Sequence, residues 1–317
     1  VKRKDIQNEV FALQDEPSAL TEKTSPAKKK GSDRIAITLL KRVGWFCLAI
    51  AVPVVFLAIQ VVVIAVASVL GAASSSAEDV DALMAATKSI NLPLVLAVAQ
   101  AITIGVAIPC WIKVSHGLKG LDFKGKRARC SVKSAAGIAM VGIGIQLLLG
   151  VVLMLVYAAV PQVMEEYADT MKLMGLNALD PLTVAATVVL APVVEELLFR
   201  GLCFAFAWRA TGNVWAAVVL QALAFGAVHG NIVQGCYAFA IGIVLGLVYL
   251  KYRNIGICVL LHMCVNGAGV LVSLVPSWVP AFPYLSITLV ASVILLVIGG
   301  RLAFLLKDEP LQEAERA

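Results

Sequence analysis

Two adjacent glutamates, Glu195 and Glu196, stand inside an apolar run from about Leu182 to Trp208, with Arg200 a turn further on. A run of that length can cross a bilayer. An ionised side chain near the middle of a membrane helix costs roughly 2.5–3.5 kcal/mol on insertion scales, so such groups persist where they pair, line a wet cavity or carry chemistry. Glu196 and Arg200 are four apart and share a helix face, which allows an ion pair. Glu195 has no such partner in its own run. The chain has three histidines, and two of them also lie in apolar runs. His229 closes Phe225-Gly-Ala-Val-His229, and His262 opens His262-Met-Cys-Val-Asn266. His116 lies in a basic stretch and reads as a solvated loop residue.

These residue types fit hydrolysis. A carboxylate beside a neutral imidazole can polarise a water and take its proton. A second imidazole and an amide can donate to the oxyanion that forms when water attacks a peptide carbonyl. Glu195 or Glu196 with His229 would activate the water, and His262 with Asn266 would hold the oxyanion. Two histidines and a carboxylate are also a hydrolytic zinc set with one open position. Glu195, His229 and His262 would then be the ligands, with zinc or another divalent metal as cofactor. The helix motif HExxH is absent, however, and the ligands come from three separate runs. Water activation without a required cofactor is therefore the expectation.

The elements that must position these groups are membrane helices. The chain is 60% hydrophobic and only 15% charged, against about 45–50% and about 25% in an average soluble domain. Eight apolar runs, 44–72, 91–112, 134–160, 182–208, 214–230, 232–250, 255–274 and 284–306, predict an all-α polytopic bundle. Lys and Arg cluster on alternate sides of these runs, beginning with ten before the first. That alternation predicts both termini on the cytoplasmic side and explains the +6 net charge without nucleic acid.

Residues 1–40 read as a disordered basic tail, 41–180 as three helices with loops, 181–275 as a catalytic core of four helices, and 276–317 as a last helix and short tail. No cleavable signal peptide is expected from the polar first 34 residues. The seven cysteines include no CxxC pair and read as buried free thiols. Gly226 with Gly230 and Gly242 with Gly246 suit close helix packing. Gln60, Gln100, Gln146, Gln221 and Gln234 read as interhelical hydrogen-bonding groups. At about 1.5 Å per residue, His229 comes out roughly 20 Å deep against roughly 9 Å for Glu195 and His262. Pairing Glu195 with His229 therefore requires a fifth run that is tilted or begins deep in the membrane.

Glu195-Glu-Leu-Leu-Phe-Arg200, Phe225-Gly-Ala-Val-His229 and His262-Met-Cys-Val-Asn266, in this order, resemble the EExxxR, FxxxH and HxxxN motifs of the CAAX prenyl endopeptidase and bacteriocin-processing family, also called Abi or CPBP. The resemblance covers about residues 181–275. It implies an intramembrane endopeptidase acting on a peptide or protein substrate at the lipid bilayer. The eukaryotic members remove the last three residues of prenylated CAAX proteins. Carried over, the resemblance gives Glu195 and His229 the activation of water, His262 and Asn266 the oxyanion, and Glu196, Arg200 and Phe225 supporting places. Bacterial members are associated with bacteriocin maturation or self-immunity, which suits a multi-pass protein of a bacterial plasma membrane. A catalytically silent scaffold or immunity protein is the rival reading. A proton-coupled transporter would show related halves, and no internal repeat is visible.

Overall fold

The computed structural model describes residues 26–74, 91–118, 130–173, 180–275 and 280–305. Every regular element among them is helical: α1 Pro26–Ser74, α2 Leu92–Leu118, α3 Val132–Ala159, α4 Pro161–Leu173, α5 Pro181–Thr211, α6 Val214–Ala227, α7 Ile232–Tyr252, α8 Ile255–Ser273 and α9 Ala281–Leu305. Seven of these are long and apolar enough to cross a membrane, α4 and α6 being the exceptions. The chain is a multi-pass membrane protein folded as a helical bundle.

Each of the eight apolar runs is a helix. The fifth, expected over 214–230, stops at Ala227. Its 14 residues reach only about 21 Å, short of the hydrocarbon thickness. The backbone of 26–40, expected as tail, is helical from Pro26. The segment 1–25 and the connections 75–90 and 119–129, which carry most of the acidic and basic loop charges, lie outside the described residues. His116, expected in a loop, lies within α2, and its side chain is outside the described set. No apolar run announces α4, a polar helix directly after α3.

The helices around the motifs are joined by short, stereotyped turns. Gly212 (φ 69°), Gly230 (φ 67°) and Arg253 (φ 47°) each adopt the left-handed conformation. Each is followed by an asparagine, Asn213, Asn231 or Asn254, whose side chain accepts from N–H groups of the next helix. A left-handed residue ends one helix and an Asn N-cap starts the next. Asp180 does the same for α5, accepting from the N–H groups of Leu182 and Thr183 and from the Thr183 hydroxyl.

Close packing rests on some of the expected glycines. A Cβ on Gly226 would meet the Gly235 carbonyl at 2.7 Å, and one on Gly242 would meet Ala222 Cβ at 3.0 Å, so α6 and α7 pack backbone to backbone. Gly230 has open space around it and serves the turn instead. The cysteines are free, as expected, but only Cys203 and Cys258 are fully buried. Cys47, Cys110 and Cys236 are exposed on helix surfaces that in a bilayer meet lipid.

Candidate active site

The site begins with irregular winding in α5. Two of its stretches, Ala186–Leu190 and Glu196–Cys203, follow wide i→i+5 hydrogen bonding. Such turns are concentrated at functional sites. Pro192 explains the consequence of the first. The Ala191 N–H bonds back to the Ala186 carbonyl, and the residue five beyond Thr187 is Pro192, which has no N–H. The Thr187 carbonyl is left without a donor in its own helix. Asn266 of α8 supplies one, its Nδ2 donating at 2.8 Å. Because only the amide nitrogen can donate to a carbonyl, the orientation of Asn266 is fixed. One of its two N–H bonds therefore ties α8 to α5, and the other remains.

The second wide stretch holds the charges. Glu196 and Arg200 are both fully buried, with Arg200 Nη1 donating to Glu196 Oε1 at 2.8 Å. The same oxygen accepts from His262 Nδ1 at 2.8 Å. The i,i+4 pair read from the sequence is present, and it has a third member. Arg200 also reaches the Gly242 carbonyl at 3.4 Å, which Gln221 caps at 2.9 Å, and its guanidinium lies 4.6 Å from the centre of the Phe225 ring. A buried carboxylate and guanidinium are tolerable because each has such partners.

Glu195, one residue earlier, faces another way. Its carboxylate is 15% exposed, and Oε2 lies 3.6 Å from His262 Nε2. With Nδ1–H committed to Glu196, Nε2 is the His262 atom left for chemistry. It donates when the ring is charged and accepts when it is neutral.

Phe225 stands between the two histidines. Its ring meets His229 edge-on at 5.0 Å and His262 at 5.7 Å. His229 lies in the turn after α6, where its Nδ1 bonds the Phe225 carbonyl at 2.8 Å. A carbonyl only accepts, so the His229 proton sits on Nδ1 and Nε2 carries the lone pair. Glu195, His229, His262 and Asn266 all line one cavity of about 390 Å³. The depth difference expected between Glu195 and His229 does not separate them. α6 is short, and His229 follows its end instead of lying inside a full span. The imidazole that approaches Glu195, however, belongs to His262, which the metal-free reading put on the oxyanion side.

The cavity also contains residues that the motifs did not indicate. Tyr167 of α4 and Tyr237 of α7 line it and hydrogen-bond through their hydroxyls at 3.2 Å. Tyr237 is an isolated Tyr in an apolar run and Tyr167 lies in a polar stretch that no run announces, so neither carries a positional signal. The glutamines divide. Gln221 makes the interhelical bond expected of it, whereas Gln60, Gln100, Gln146 and Gln234 make none among the described residues. Gln100, Gln146 and Gln234 line the cavity.

The metal alternative needs Glu195, His229 and His262 to converge. Among the described residues no three His, Cys, Asp or Glu side chains gather as a ligand set. Each histidine has its Nδ1 engaged and offers one nitrogen.

The chain is similar to a protein of Bacillus subtilis (strain 168) described as "Putative membrane peptidase YdiL", 23% identical over 111 residues, or 35% of this chain and 45% of that protein. The match therefore spans less than half of that relative. No solved structure matches. Residues 177–268, which contain all three polar motifs, match the family model described as "Type II CAAX prenyl endopeptidase Rce1-like", and the resemblance read from those motifs stands on that segment.

Proposed function

We propose that the chain is an intramembrane endopeptidase that hydrolyses a peptide bond of a membrane-associated substrate. The observation that carries this reading is the approach of Glu195 Oε2 to His262 Nε2 at 3.6 Å, in a cavity also lined by His229 and Asn266. Glu195, the one carboxylate of the pair not already engaged, acts as general base. It takes a proton from water while the His229 lone pair accepts the second water hydrogen and orients it. The water oxygen attacks the scissile carbonyl carbon. The resulting oxyanion is held by His262 Nε2–H, in the charged form of the ring, and by the second N–H of Asn266. The C–N bond then breaks, and the proton held by Glu195 passes to the leaving amine.

Glu196 acts through His262, fixing its ring by the Nδ1–H bond as a carboxylate orients a catalytic histidine. CAAX-like C-termini are the substrate class that the family match suggests, and the motif resemblance adds bacteriocin-like leaders. The same reading places the protein in a bacterial plasma membrane with both termini cytoplasmic.

The test is cleavage of quenched CAAX-type and leader-type peptides by protein in liposomes. The chain itself is compared with Glu195→Gln and His229→Ala, each with and without a chelator. Turnover that either substitution lowers at least about a hundredfold supports the mechanism, since general acid–base groups contribute about 10²–10⁴-fold. Chelator-resistant turnover supports water activation by protein groups. Turnover that a chelator abolishes and zinc restores replaces it with metal chemistry on Glu195, His229 and His262. A chain that binds peptide without cleaving it is a scaffold.

A further inference from the structure

A second cavity lies away from the motifs, at the end of the bundle that the alternation of Lys and Arg predicts to be cytoplasmic. Its volume is about 870 Å³, within the range of about 300–1,000 Å³ usual for ligand sites. It forms where α5 and α7 end, α6 begins and α9 closes, at the opposite end of α6 from His229. Among the described residues lining it are Lys251 and Arg253, from the end of α7, and no Asp or Glu. The described carboxylates outside the Glu195 site are Glu165, Glu166 and Asp169 on α4 and Asp180 before α5. These stand at the far ends of α3 and α5, since α3 starts against Ala303 and α5 finishes at this cavity.

Both cations are positioned by the fold. Lys251 Nζ donates to the Ala303 carbonyl and lies 5.1 Å and 5.3 Å from the ring centres of Tyr252 and Phe304. Arg253 closes α7, its backbone N–H donating to the Tyr249 carbonyl. The remaining wall is largely apolar and open. Trp215, Leu247 and Phe304 are exposed along it, and Trp208 lies deeper. Tryptophan is enriched where membrane meets water. A soluble anion gains nothing from such a wall. A phospholipid brings a phosphate for the cations and acyl chains for the exposed Trp215, Leu247 and Phe304. A choline or ethanolamine headgroup would set a third cation beside the first two, so a net negative headgroup fits better.

We propose that this cavity binds an anionic phospholipid, its phosphate on Lys251 and Arg253 and its acyl chains along Trp215, Leu247 and Phe304. Basic pockets between membrane helices on the cytoplasmic side take anionic headgroups in this way. The inference is independent of the protease reading and of the Glu195 cavity.

The test uses the full chain in phosphatidylcholine vesicles holding a minor fraction of phosphatidylglycerol, with brominated acyl chains on one lipid or the other. Bromine quenches tryptophan on contact, and the difference between the chain and Trp215→Phe isolates the signal at the cavity. A basic residue near an anionic headgroup is worth about fivefold in affinity. Phosphatidylglycerol should therefore be enriched at Trp215 by roughly twentyfold over phosphatidylcholine, and Lys251→Gln or Arg253→Asn should each cut this about fivefold. Gln keeps a donor for the Ala303 carbonyl, and Asn tolerates the left-handed turn. Lys251→Arg should retain the enrichment. Lys133→Gln, an exposed cation at the same end that does not line the cavity, should leave it unchanged. Melting curves confirm that each variant is folded. Equal quenching by the two lipids, enrichment indifferent to both cavity substitutions, or enrichment that Lys133→Gln lowers as much overturns the proposal. Displacement of the lipid by inorganic phosphate at constant ionic strength also overturns it, assigning the cavity to a soluble anion.

Discussion

At the scale of single residues, the site depends on where protons and lone pairs are already committed. Glu196 Oε1 accepts from both Arg200 and His262, so the three form one unit. Arg200→Leu leaves a carboxylate buried without its countercharge. We expect destabilisation of about 3–5 kcal/mol, the usual consequence of breaking a buried pair from one side, read as loss of folded protein in denaturant or heat. Glu196→Gln keeps an oxygen for His262 Nδ1–H but leaves the buried Arg200 guanidinium without its countercharge, so it should lower stability as well, and the protein that still folds should lose activity chiefly in kcat.

Asn266 makes a sharper case, because its bond to Thr187 O answers the missing N–H of Pro192. Asn266→Leu should cost about 1–3 kcal/mol by stranding that carbonyl. In a Pro192→Ala background the helix regains a donor, and the cost of Asn266→Leu should shrink by about 1 kcal/mol or more. A double-mutant cycle on unfolding midpoints measures that coupling. A coupling near zero would mean that Asn266 does not stand in for the absent N–H.

At the scale of elements, the helices bearing the motifs are bounded by caps. Asn213→Ala, Asn231→Ala and Asn254→Ala should each lower stability by about 1 kcal/mol, seen as a lower Tm without loss of helical signal in the membrane. Asp180 adds a pH dependence to the start of α5. The Thr183 hydroxyl and N–H hold its carboxyl below the ordinary value. A carboxyl lowered in the folded state stabilises the fold above its unfolded pKa and loses that contribution as pH falls through the folded value. Asp180→Asn, which keeps a capping oxygen, should therefore melt closer to the parent chain in acid than at neutral pH. Melting curves from pH 7 to pH 3 give the comparison.

Over the whole molecule, much was legible because lipid leaves the backbone few options. An apolar run of about 20 residues has to satisfy its own peptide groups, and a helix does so. Charged groups in such a run have to find one another, so the pairing of Glu196 with Arg200 could be read from spacing and type, and so could the gathering of Glu195, His229 and His262 around one cavity. What could not be read depends on contacts between distant residues. The polar helix α4 has no apolar run to announce it. The wide turns of α5 are not encoded by any single residue, although Pro192 makes the first of them consequential. His262 lies nearer to Glu195 than the motif order suggested, because α5 and α8 cross where Asn266 binds Thr187. Five glutamines looked alike until the fold placed one at a helix junction and three around the cavity. The alternation of Lys and Arg still makes a global prediction, that both termini face the cytoplasm. Cysteines introduced at Ser32 and at Ala317, each in a variant lacking the native thiols, should react with an impermeant maleimide only in inverted vesicles.

The turns at Gly212–Asn213, Gly230–Asn231 and Arg253–Asn254 have a mechanical consequence. They connect α5, α6, α7 and α8 with almost no spare chain, and every one is fixed at both ends by hydrogen bonds. Four helices joined in this way can neither slide nor part by much, so the part of the cavity wall they form is rigid. α4 meets this wall through the bond between the Tyr167 and Tyr237 hydroxyls.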